Sequence, residues 1–328
     1  MITVRSPLRI SLGGGGTDLP SYYKRHGGFV VSAAIDKYVY VTVLRPFQPG
    51  IFLKYSQLEH AHDVADVRHP IVREALVMTM DAATTPQIEI TTLADIPAGT
   101  GLGSSGSFTT ALLAALAAFH NQSVTAAELA ERACELEIAR LHEPVGKQDQ
   151  YIAAHGGLSS FEFHPDDTVA VRRLSLGAEV LCRLQTNLLL FFTGYSRRAS
   201  EILDDQHRRT LASDDAMVAN LDRIKAIGRQ SLTALEAGEL DRFGRLLHEH
   251  WVHKRARTPA ISNPAIDEYY NLAVANGAIG GKLVGAGGGG FLMFYADRPE
   301  QLRVAMRAAG LNEVRFRFDF EGTKVLSA

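Results

Sequence analysis

Hydrophobic and polar positions in the first half of the chain alternate in short runs that predict β-strands. Residues 2–12 alternate clearly enough to form one strand. The runs 29–35 and 38–44 are rich in Val, Tyr and Ile, so they predict two paired strands joined by a turn at 36–37. Further strands are predicted at 51–55, 87–91 and 158–163. The pattern therefore indicates a β-sheet in the N-terminal half.

Two predicted helices interrupt these strands. Residues 108–119 are apolar nearly all round, which is typical of a helix buried on several sides. Thr125 and Glu128 have the spacing of a capping box, so a second helix begins there and runs to about residue 141. The apolar face of this helix includes Glu137. A carboxylate removed from water needs a partner, and a structural ion pair with Arg140 and the binding of a metal ion are both compatible with the pattern.

The second half of the chain is dominated by helical periodicity. Long amphipathic patterns at 214–236 and 240–255 predict a layer of helices, and buried strands are predicted at 184–193 and 291–295. A length of 328 residues suits two domains. We therefore expect an N-terminal domain at residues 1–183 and a C-terminal domain at residues 184–328.

Composition and charge exclude several classes of function. The 34 Lys and Arg nearly balance the 36 Asp and Glu, so no strong overall field attracts nucleic acid or an anionic membrane. The sequence has no signal-peptide pattern and no apolar run of membrane-spanning length. We expect a cytoplasmic protein that binds neither nucleic acid nor membrane. Its two cysteines, Cys134 and Cys182, are expected to be buried and reduced.

A glycine- and serine-rich stretch at 95–107 leads directly into the apolar helix. Glycines at 99, 101, 103 and 106 let several backbone N–H groups turn toward one point, which favours a phosphate-binding loop. The expected N-cap is Ser104 or Ser105. A Walker-type loop is excluded because no Lys follows the last glycine, and the acidic residue that a dinucleotide fold requires would fall at Glu128, inside the next helix. A glycine-rich turn that merely starts a core helix is the structural alternative.

Two other glycine runs punctuate the chain. Gly13–Gly16 follow the first strand and are bracketed by Arg9 and Asp18, which favours a ligand site over a surface salt bridge. Residues 280–290 lead into a strand and not into a helix, so close packing against the first domain and contact with a phosphate are both open.

Three motifs, taken together, resemble the signature motifs of the GHMP kinases, which include galactokinase, homoserine kinase, mevalonate kinase and phosphomevalonate kinase. They are PLRISLGGGGTD at 7–18, IPAGTGLGSSGS at 96–107 and KLVGAGGGGF at 282–291. The stretches IDKYVYV at 35–41, GKQDQYIAAHGG at 146–157 and FTGYSRRAS at 192–200 are similar to those of the bacterial D-glycero-D-manno-heptose 7-phosphate kinases. Fucokinase-like sugar kinases share part of this pattern.

The resemblance implies an α+β fold of two domains, the first like ribosomal protein S5 domain 2 and the second ferredoxin-like. ATP and the acceptor would then bind in the cleft between them. The implied ATP-binding residues are Pro97, Gly99, Gly101, Leu102, Gly103, Ser104, Ser105, Gly106 and Ser107. Mg²⁺ would be bound by Ser105 and Glu137. Asp149 would be the catalytic aspartate, with Arg9 stabilising charge beside it.

The implied reaction transfers the γ-phosphoryl group of ATP to the anomeric hydroxyl of a heptose 7-phosphate, giving the 1,7-bisphosphate for nucleotide-heptose synthesis. Expected acceptor-binding residues are Gly14, Gly15, Gly16, Thr17, Asp18, Gly287 and Gly288. Lys147, Arg197 and Arg198 are the candidates for holding the distal phosphate. A kinase for another sugar, such as fucose or an N-acetylhexosamine, and a non-catalytic sugar and ATP sensor are the alternatives. A homodimer is compatible with the resemblance.

Overall fold

The computed structural model describes residues 1–80, 85–194, 199–212 and 214–327, with the side chains of residues 199 and 200 excepted. Its strands are β1 (Ile2–Gly13), β2 (Gly28–Leu44), β3 (Gly50–Lys54), β4 (Leu58–Ala61), β5 (Gln87–Ala94), β6 (Leu158–Phe163), β7 (Val169–Arg173), β8 (Leu188–Gly194), β9 (Ala278–Leu283), β10 (Gly290–Ala296), β11 (Asn312–Glu313) and β12 (Lys324–Ser327). Its α-helices are α1 (Pro20–His26), α2 (Pro70–Thr79), α3 (Ser104–Phe119), α4 (Ala126–Cys134), α5 (Gln148–His155), α6 (Ala178–Asn187), α7 (Ala199–Leu211), α8 (Asp215–Glu236), α9 (Leu240–Arg255), α10 (Pro264–Ala275) and α11 (Pro299–Ala308).

The strands form two sheets. The larger sheet has the order β12-β1-β2-β5-β3-β4, and β6 extends from β2 to pair with β7. All of its pairings are antiparallel except that of β3 with β5. The smaller sheet has the order β11-β8-β10-β9 and is antiparallel. Helix α3 packs against β1 and β2 of the first sheet, and α9 packs against β9 of the second. The expected α+β class is confirmed.

The predicted turn at 36–37 is wrong, because β2 runs without interruption from Gly28 to Leu44. Its register with β1 shifts instead: Pro7 pairs with Tyr38, and Leu8 pairs with Ile35. Asp36 and Lys37 therefore form a bulge. Asp36 N–H donates to Arg317 O at 2.9 Å, and Arg317 N–H donates to the Asp36 carboxylate at 2.8 Å. Polar residues that resembled a turn are satisfied by a distant part of the chain.

The helices largely follow the sequence pattern. Most of α3 is buried, as its composition predicts, and the capping box of Thr125 and Glu128 is present at the start of α4. The N-cap of α3 is Gly103, with a φ of 78°, so the expected cap at Ser104 or Ser105 is wrong. The glycine adopts a left-handed conformation that serine would rarely take. Beyond α4 the chain continues as a π-helix at Glu135–Arg140.

The second half begins differently from its prediction. Residues 184–187 are the last turn of α6, and the strand expected at 184–193 starts only at Leu188. The proposed division at 183/184 therefore falls inside a helix. At the other end of the chain, β12 pairs with β1 in the first sheet. The domain boundary stays a prediction, with the last strand lying in the sheet of the N-terminal half.

Two further expectations concern exposure. Cys134 is buried as expected, but Cys182 is exposed on α6, so that part of the prediction is wrong. Within the part of the chain that the structure describes, no helix is both long enough and apolar enough to cross a membrane.

Candidate active site

The glycine loop between β5 and α3 has the backbone geometry that its sequence predicts. Gly99, Gly101 and Gly103 have φ values of 80°, 85° and 78°. The Ser107 N–H donates to Gly103 O at 3.0 Å, and the three preceding amides have no residue four positions earlier within the helix to accept from them. These amides and the positive end of α3 form an anion site.

Not every residue expected to bind ATP faces this site. The Ser107 hydroxyl donates to Pro7 O at 2.7 Å, and its amide is already used by Gly103. The side chain of Leu102 is fully buried in the core. The predicted role of Ser107 is therefore corrected to a structural one, whereas the burial of the Leu102 side chain does not test its backbone, and its ATP-binding role stays a prediction. In this arrangement Ser107 anchors α3 to β1, and Leu102 seats the loop on the core.

Asp149 lies directly beside this loop. It is near the start of α5, and a Cβ placed on Gly106 would lie 2.8 Å from Asp149 Cβ. Arg9 of β1 binds the carboxylate with two hydrogen bonds, Nε to Oδ1 at 2.7 Å and Nη2 to Oδ2 at 2.8 Å. Arg9 N–H also donates to Leu102 O at 2.9 Å. The pair therefore fixes the aspartate against the loop, with 26% of its side chain exposed.

Asp18 lines the same cavity as Asp149. Its carboxylate accepts from the backbone N–H of Gly16 at 2.9 Å and of Gln148 at 3.1 Å. Burial raises the pKa of Asp18, and the nearby charge of Asp149 raises it further. No side chain fits at position 146, because a Cβ on Gly146 would lie 2.0 Å from Asp18 Oδ2. Asp18 is thus held rigidly at the edge of the cavity.

The first glycine run divides into two roles. Gly15 and Gly16 line the cavity, as expected. Gly14 instead packs against β2, where a Cβ would lie 1.9 Å from Phe29 O, and the Thr17 hydroxyl donates to Gly14 O at 2.8 Å. Gly14 and Thr17 are therefore corrected from acceptor-binding to structural positions.

The third glycine run packs against the phosphate loop. A Cβ on Gly285 would lie 2.6 Å from Gly101 Cα, and a Cβ on Gly290 would lie 2.3 Å from Thr100 O. Of the two interpretations left open by the sequence, this is the close packing between halves of the chain. A Cβ on Gly287 would lie 3.0 Å from Ile261 Cα, and the Gly288 N–H donates to Ile261 O at 3.0 Å, while their expected acceptor role stays a prediction.

Lys147 does not face the cavity. It is buried, and its Nζ donates to Asp167 O at 2.9 Å and lies 3.7 Å from Glu131. Its expected contact with a substrate phosphate is corrected, because its charge is already satisfied within the protein. Arg197 and Arg198 lie outside the described residues.

Four basic residues that the sequence analysis missed line the cavity from the second half of the chain. His250 and Lys254 are on α9, Arg257 follows that helix, and Lys282 is on β9. The lysines and His250 are at most 7% exposed. His250 and Lys254 lie on the apolar stripe of an amphipathic helix, and Lys282 interrupts a buried strand. A charge in an apolar stripe, the signal used for Glu137, would have found them.

Burial and mutual repulsion change the ionisation of this cationic cluster of His250, Lys254, Arg257 and Lys282. Burial lowers the pKa of Lys282 to about 7, with the charges of Arg9 and Arg257 as further causes. Burial also lowers the pKa of Arg257 to about 10, against a favourable effect of Asp18. The pKa values of Lys254 and His250 are likewise lowered, first by burial and then by Lys282. The cluster is thus short of negative charge.

The lowered pKa of Lys282 makes a prediction about stability. Between about pH 7 and its ordinary value of 10.5 the unfolded state binds more protons, so stability should rise with pH in this window. Each pH unit contributes at most about 1.4 kcal/mol. Lys282→Met should make this rise of stability with pH less steep, which urea unfolding of the two proteins between pH 7 and 9 would measure. Parallel curves of unfolding free energy against pH would contradict the assignment.

Glu137 is buried between the phosphate loop and α5, as its position on the helical wheel predicts. Its carboxylate accepts from Gln150 Nε2 at 2.8 Å, from the Thr109 hydroxyl and from Ser105 Oγ at 3.4 Å. Burial raises its pKa to about 7, and the charge of Asp149 also acts to raise it. Arg140 binds Glu74 at 3.2 Å, so the proposed pairing of Arg140 with Glu137 is wrong.

The surroundings of Glu137 fit a cation. Among the described residues no Lys, Arg or His nitrogen lies within ion-pair distance of its carboxylate, and Gln150 Oε1 is buried without a hydrogen-bond partner. The described residues contain no group of three or more His, Cys, Asp or Glu side chains that could hold a metal. Mg²⁺ does not require such a group, since it is commonly bound by one or two protein oxygens together with substrate phosphates. Ser105 and Glu137 are the residues that would supply those oxygens.

The site combines an anion-binding loop at the start of a helix, an accessible aspartate held beside that loop, and a polar cavity lined by both halves of the chain. This is the arrangement of a small-molecule kinase. Comparison with known families agrees. Residues 70–157 match the model of the GHMP kinases N terminal domain, and residues 231–312 match that of the GHMP kinases C terminal region. The chain belongs to the GHMP kinase family. Its two-domain fold and its ATP-dependent kinase activity, expected from the motifs, are confirmed.

Three relatives narrow the comparison. The D-glycero-alpha-D-manno-heptose 7-phosphate kinase of Campylobacter jejuni is 28% identical over 98% of this chain and 98% of its own. The L-fucokinase/L-fucose-1-P guanylyltransferase of Bacteroides fragilis is 29% identical over 90% of this chain and 34% of its own. The crystal structure of a D-glycero-D-manno-heptose 1-phosphate kinase from Bacteroides thetaiotaomicron is 26% identical, with a TM-score of 0.80 over 100% of this chain and 99% of that one.

Proposed function

We propose that the enzyme transfers the γ-phosphoryl group of ATP to the anomeric hydroxyl of D-glycero-D-manno-heptose 7-phosphate, giving the 1,7-bisphosphate. The observation that carries the proposal is the cavity beside the phosphate loop, which combines Asp149, a hydroxyl-accepting carboxylate at Asp18 and an excess of buried positive charge. Two full-length relatives named as phosphoheptose kinases support the sugar. Since their names place the phosphate at different carbons, its position belongs to the proposal.

The residues around Asp149 suit phosphoryl transfer. The aspartate accepts or orients the proton of the attacking hydroxyl, and Arg9 keeps its carboxylate in place through two hydrogen bonds. Arg9 also lies where negative charge develops on the transferring group, because it contacts the loop that receives the phosphates. Asp18 accepts hydrogen bonds from sugar hydroxyls. Positioning and charge stabilisation supply most of the catalysis in such reactions.

Mg²⁺ is the metal that we propose for the site, with Ser105 and Glu137 as its protein ligands. When bound, it neutralises charge on the phosphate oxygens of the nucleotide. The chain's own contribution is to keep Glu137 close to the loop, through hydrogen bonds from Gln150 and Thr109.

Ser105→Ala should raise the Mg²⁺ concentration that gives half-maximal activity roughly fivefold, equivalent to one lost contact of about 1 kcal/mol. The loop amides remain, so the affinity for the nucleotide should change little. Magnesium titrations at saturating ATP would measure the effect, with Ser123→Ala, an exposed serine before α4, as the control. If the titrations of parent and variant overlay, Ser105 is not a ligand.

A kinase for another sugar is the second candidate, because the matched third of the Bacteroides fragilis L-fucokinase/L-fucose-1-P guanylyltransferase has the same level of sequence identity to this chain as the heptose kinase. The two proposals differ in whether the acceptor carries its own phosphate. A screen of heptose 7-phosphate, unphosphorylated heptose, L-fucose and N-acetylhexosamines, read as acceptor-dependent ADP release, separates them. We expect heptose 7-phosphate to give the highest kcat/KM, and a preference for neutral fucose would replace the proposal.

A further inference from the structure

The cationic cluster at the back of the cavity lacks a counterion. We propose that Lys282 and Arg257, supported by Lys254, bind the phosphate that the acceptor already carries, and so select a phosphorylated sugar over a neutral one. This inference rests on the proposed function and adds to it the residues that recognise the substrate's phosphate.

In the part of the chain that the structure describes, the charged groups of the cationic cluster have no carboxylate next to them. Among the described residues no carboxylate lies within 4.0 Å of the charged groups of Lys254, Arg257 or Lys282. Their partners are neutral: Lys282 Nζ lies 3.3 Å from His250 Nδ1, and Lys254 Nζ donates to Leu283 O at 2.8 Å. Several buried like charges without a counterion are unfavourable, so a site of this kind is completed by an anionic ligand.

Arg257 has N–H groups that its partners among the described residues do not use. Its Nε donates to Asn220 Oδ1 and its Nη1 to Gln206 Oε1, both at 2.9 Å. Its Nη2 reaches only Gly15 O, at 3.5 Å. A guanidinium has five N–H groups, so part of its fork is available to a phosphate in the cavity. Asn220 and Gln206 hold the guanidinium in place without neutralising it.

The position of Arg257 distinguishes the phosphate of the acceptor from those of ATP. The loop amides and Arg9 already face the nucleotide side of the cavity. Arg257 is on the other side, against the first glycine run, where a Cβ on Gly16 would lie 2.8 Å from its Nη1. Asp18, which suits sugar hydroxyls, is close enough to influence the pKa of Arg257. Arg257 therefore adjoins the acceptor side, and Lys282, whose pKa is lowered first by burial, is close enough to both Arg9 and Arg257 for their charges to lower it further.

The ionisation of Lys282 is consistent with this role. Its ammonium faces His250 and Lys254 of α9, Arg257 beyond that helix and Arg9 of β1, while Asp18 and Asp149 are the carboxylates that line the same cavity. In this setting its pKa is about 7. A dianionic phosphate nearby would raise the pKa again. Binding of heptose 7-phosphate should therefore take up a substantial fraction of one proton at pH 7.5, whereas unphosphorylated heptose should take up none.

The test compares two acceptors in the parent, in two variants of the cluster and in one control variant. The parent, Lys282→Met and Arg257→Gln are assayed with heptose 7-phosphate and with unphosphorylated heptose. Arg255→Gln is the matched control, since Arg255 lies two residues before Arg257 at the end of α9 but is exposed and pairs with Asp267. Each cluster variant should lose roughly tenfold or more in kcat/KM with the phosphorylated acceptor and less than about threefold with the neutral one. The KM for ATP and the control should stay near parental values.

The outcomes separate the inference from the proposed function. If the parent does not prefer the phosphorylated sugar, the proposed function fails and the inference fails with it. If the parent prefers it and both variants keep that preference, the proposed function stands and the inference alone is wrong. Equal losses with both acceptors, or a raised KM for ATP, would assign the cluster to the transferred phosphate and overturn the inference.

A second measurement does not depend on the folding of any variant. Calorimetric titration of the parent with each acceptor, in buffers of different ionisation enthalpy, gives the number of protons taken up. Uptake with heptose 7-phosphate only would support the inference, and no difference between the two acceptors would overturn it.

In addition, Lys282→Met should have a higher Tm than the parent near pH 7, because it removes a buried charge from among like charges. A lower Tm would indicate a purely structural lysine.

Discussion

Asp149→Asn should lower kcat by about 10² or more while leaving the affinity for ATP nearly unchanged, since a positioned general base typically contributes a factor of this size. The amide has nearly the shape of the carboxylate but can accept no proton from the attacking hydroxyl. It also replaces one of the two acceptors that bind Arg9 at 2.7 and 2.8 Å. Steady-state kinetics with saturating acceptor, together with calorimetric titration of ATP, would measure both quantities.

The control for this variant is Asp166→Asn. Asp166 is exposed between β6 and β7, its carboxylate accepts from Thr168, and it is not among the residues that line the cavity of Asp149. The same chemical change there should leave kcat at the parental level. A kcat for Asp149→Asn that equals that of the control would remove Asp149 from the mechanism.

Gly285→Ala should raise the KM for ATP by about an order of magnitude and lower the Tm. The residue has a φ of 78°, and the added Cβ would lie 2.6 Å from Gly101 Cα and 2.9 Å from Gly101 O. Both contacts are with backbone, so the strain can be relieved only by moving the phosphate loop or the strand that precedes Gly285. The loop amides would then lose their alignment, which the enzyme needs for the phosphates of ATP.

Gly310→Ala separates collision from conformational strain. Gly310 has a φ of 83°, but nothing lies within 4 Å of an added Cβ. Both alanines pay the penalty of a left-handed conformation, roughly 1–2 kcal/mol. Only Gly285→Ala also disturbs the loop. Equal values of the KM for ATP in the two variants would show that the contact of Gly285 with Gly101 does not position the loop.

Features encoded over a few neighbouring residues could be predicted from the sequence. The glycines of the phosphate loop, the apolar helix α3 and the capping box at Thr125 all depend on local spacing. The inward direction of Glu137 followed from helical periodicity, because a helix fixes which side chains share a face. Its partners did not follow, since Gln150 and Thr109 belong to other elements of the fold.

Features that depend on distant contacts were missed. The bulge at Asp36 and Lys37 is stabilised by residue 317, which no local pattern connects with β2. Lys147 was predicted to bind the distal phosphate as one of three candidate cations, yet its Nζ donates to Asp167 O on the turn between β6 and β7. Arg257 meets the first glycine run, and Lys282 lines the same cavity, only when the two halves of the chain pack together. An acceptor site built across such a contact cannot be derived from spacing alone.

The most direct test of the proposed reaction is ³¹P NMR of a mixture of the enzyme, ATP, Mg²⁺ and heptose 7-phosphate. We expect stoichiometric formation of ADP and of a product with two phosphates, one of them coupled to the anomeric proton, and a rate lower by about 10² or more with Asp149→Asn. A new phosphate signal coupled to a proton other than the anomeric one, or ADP release that does not depend on the acceptor, would contradict the proposed reaction.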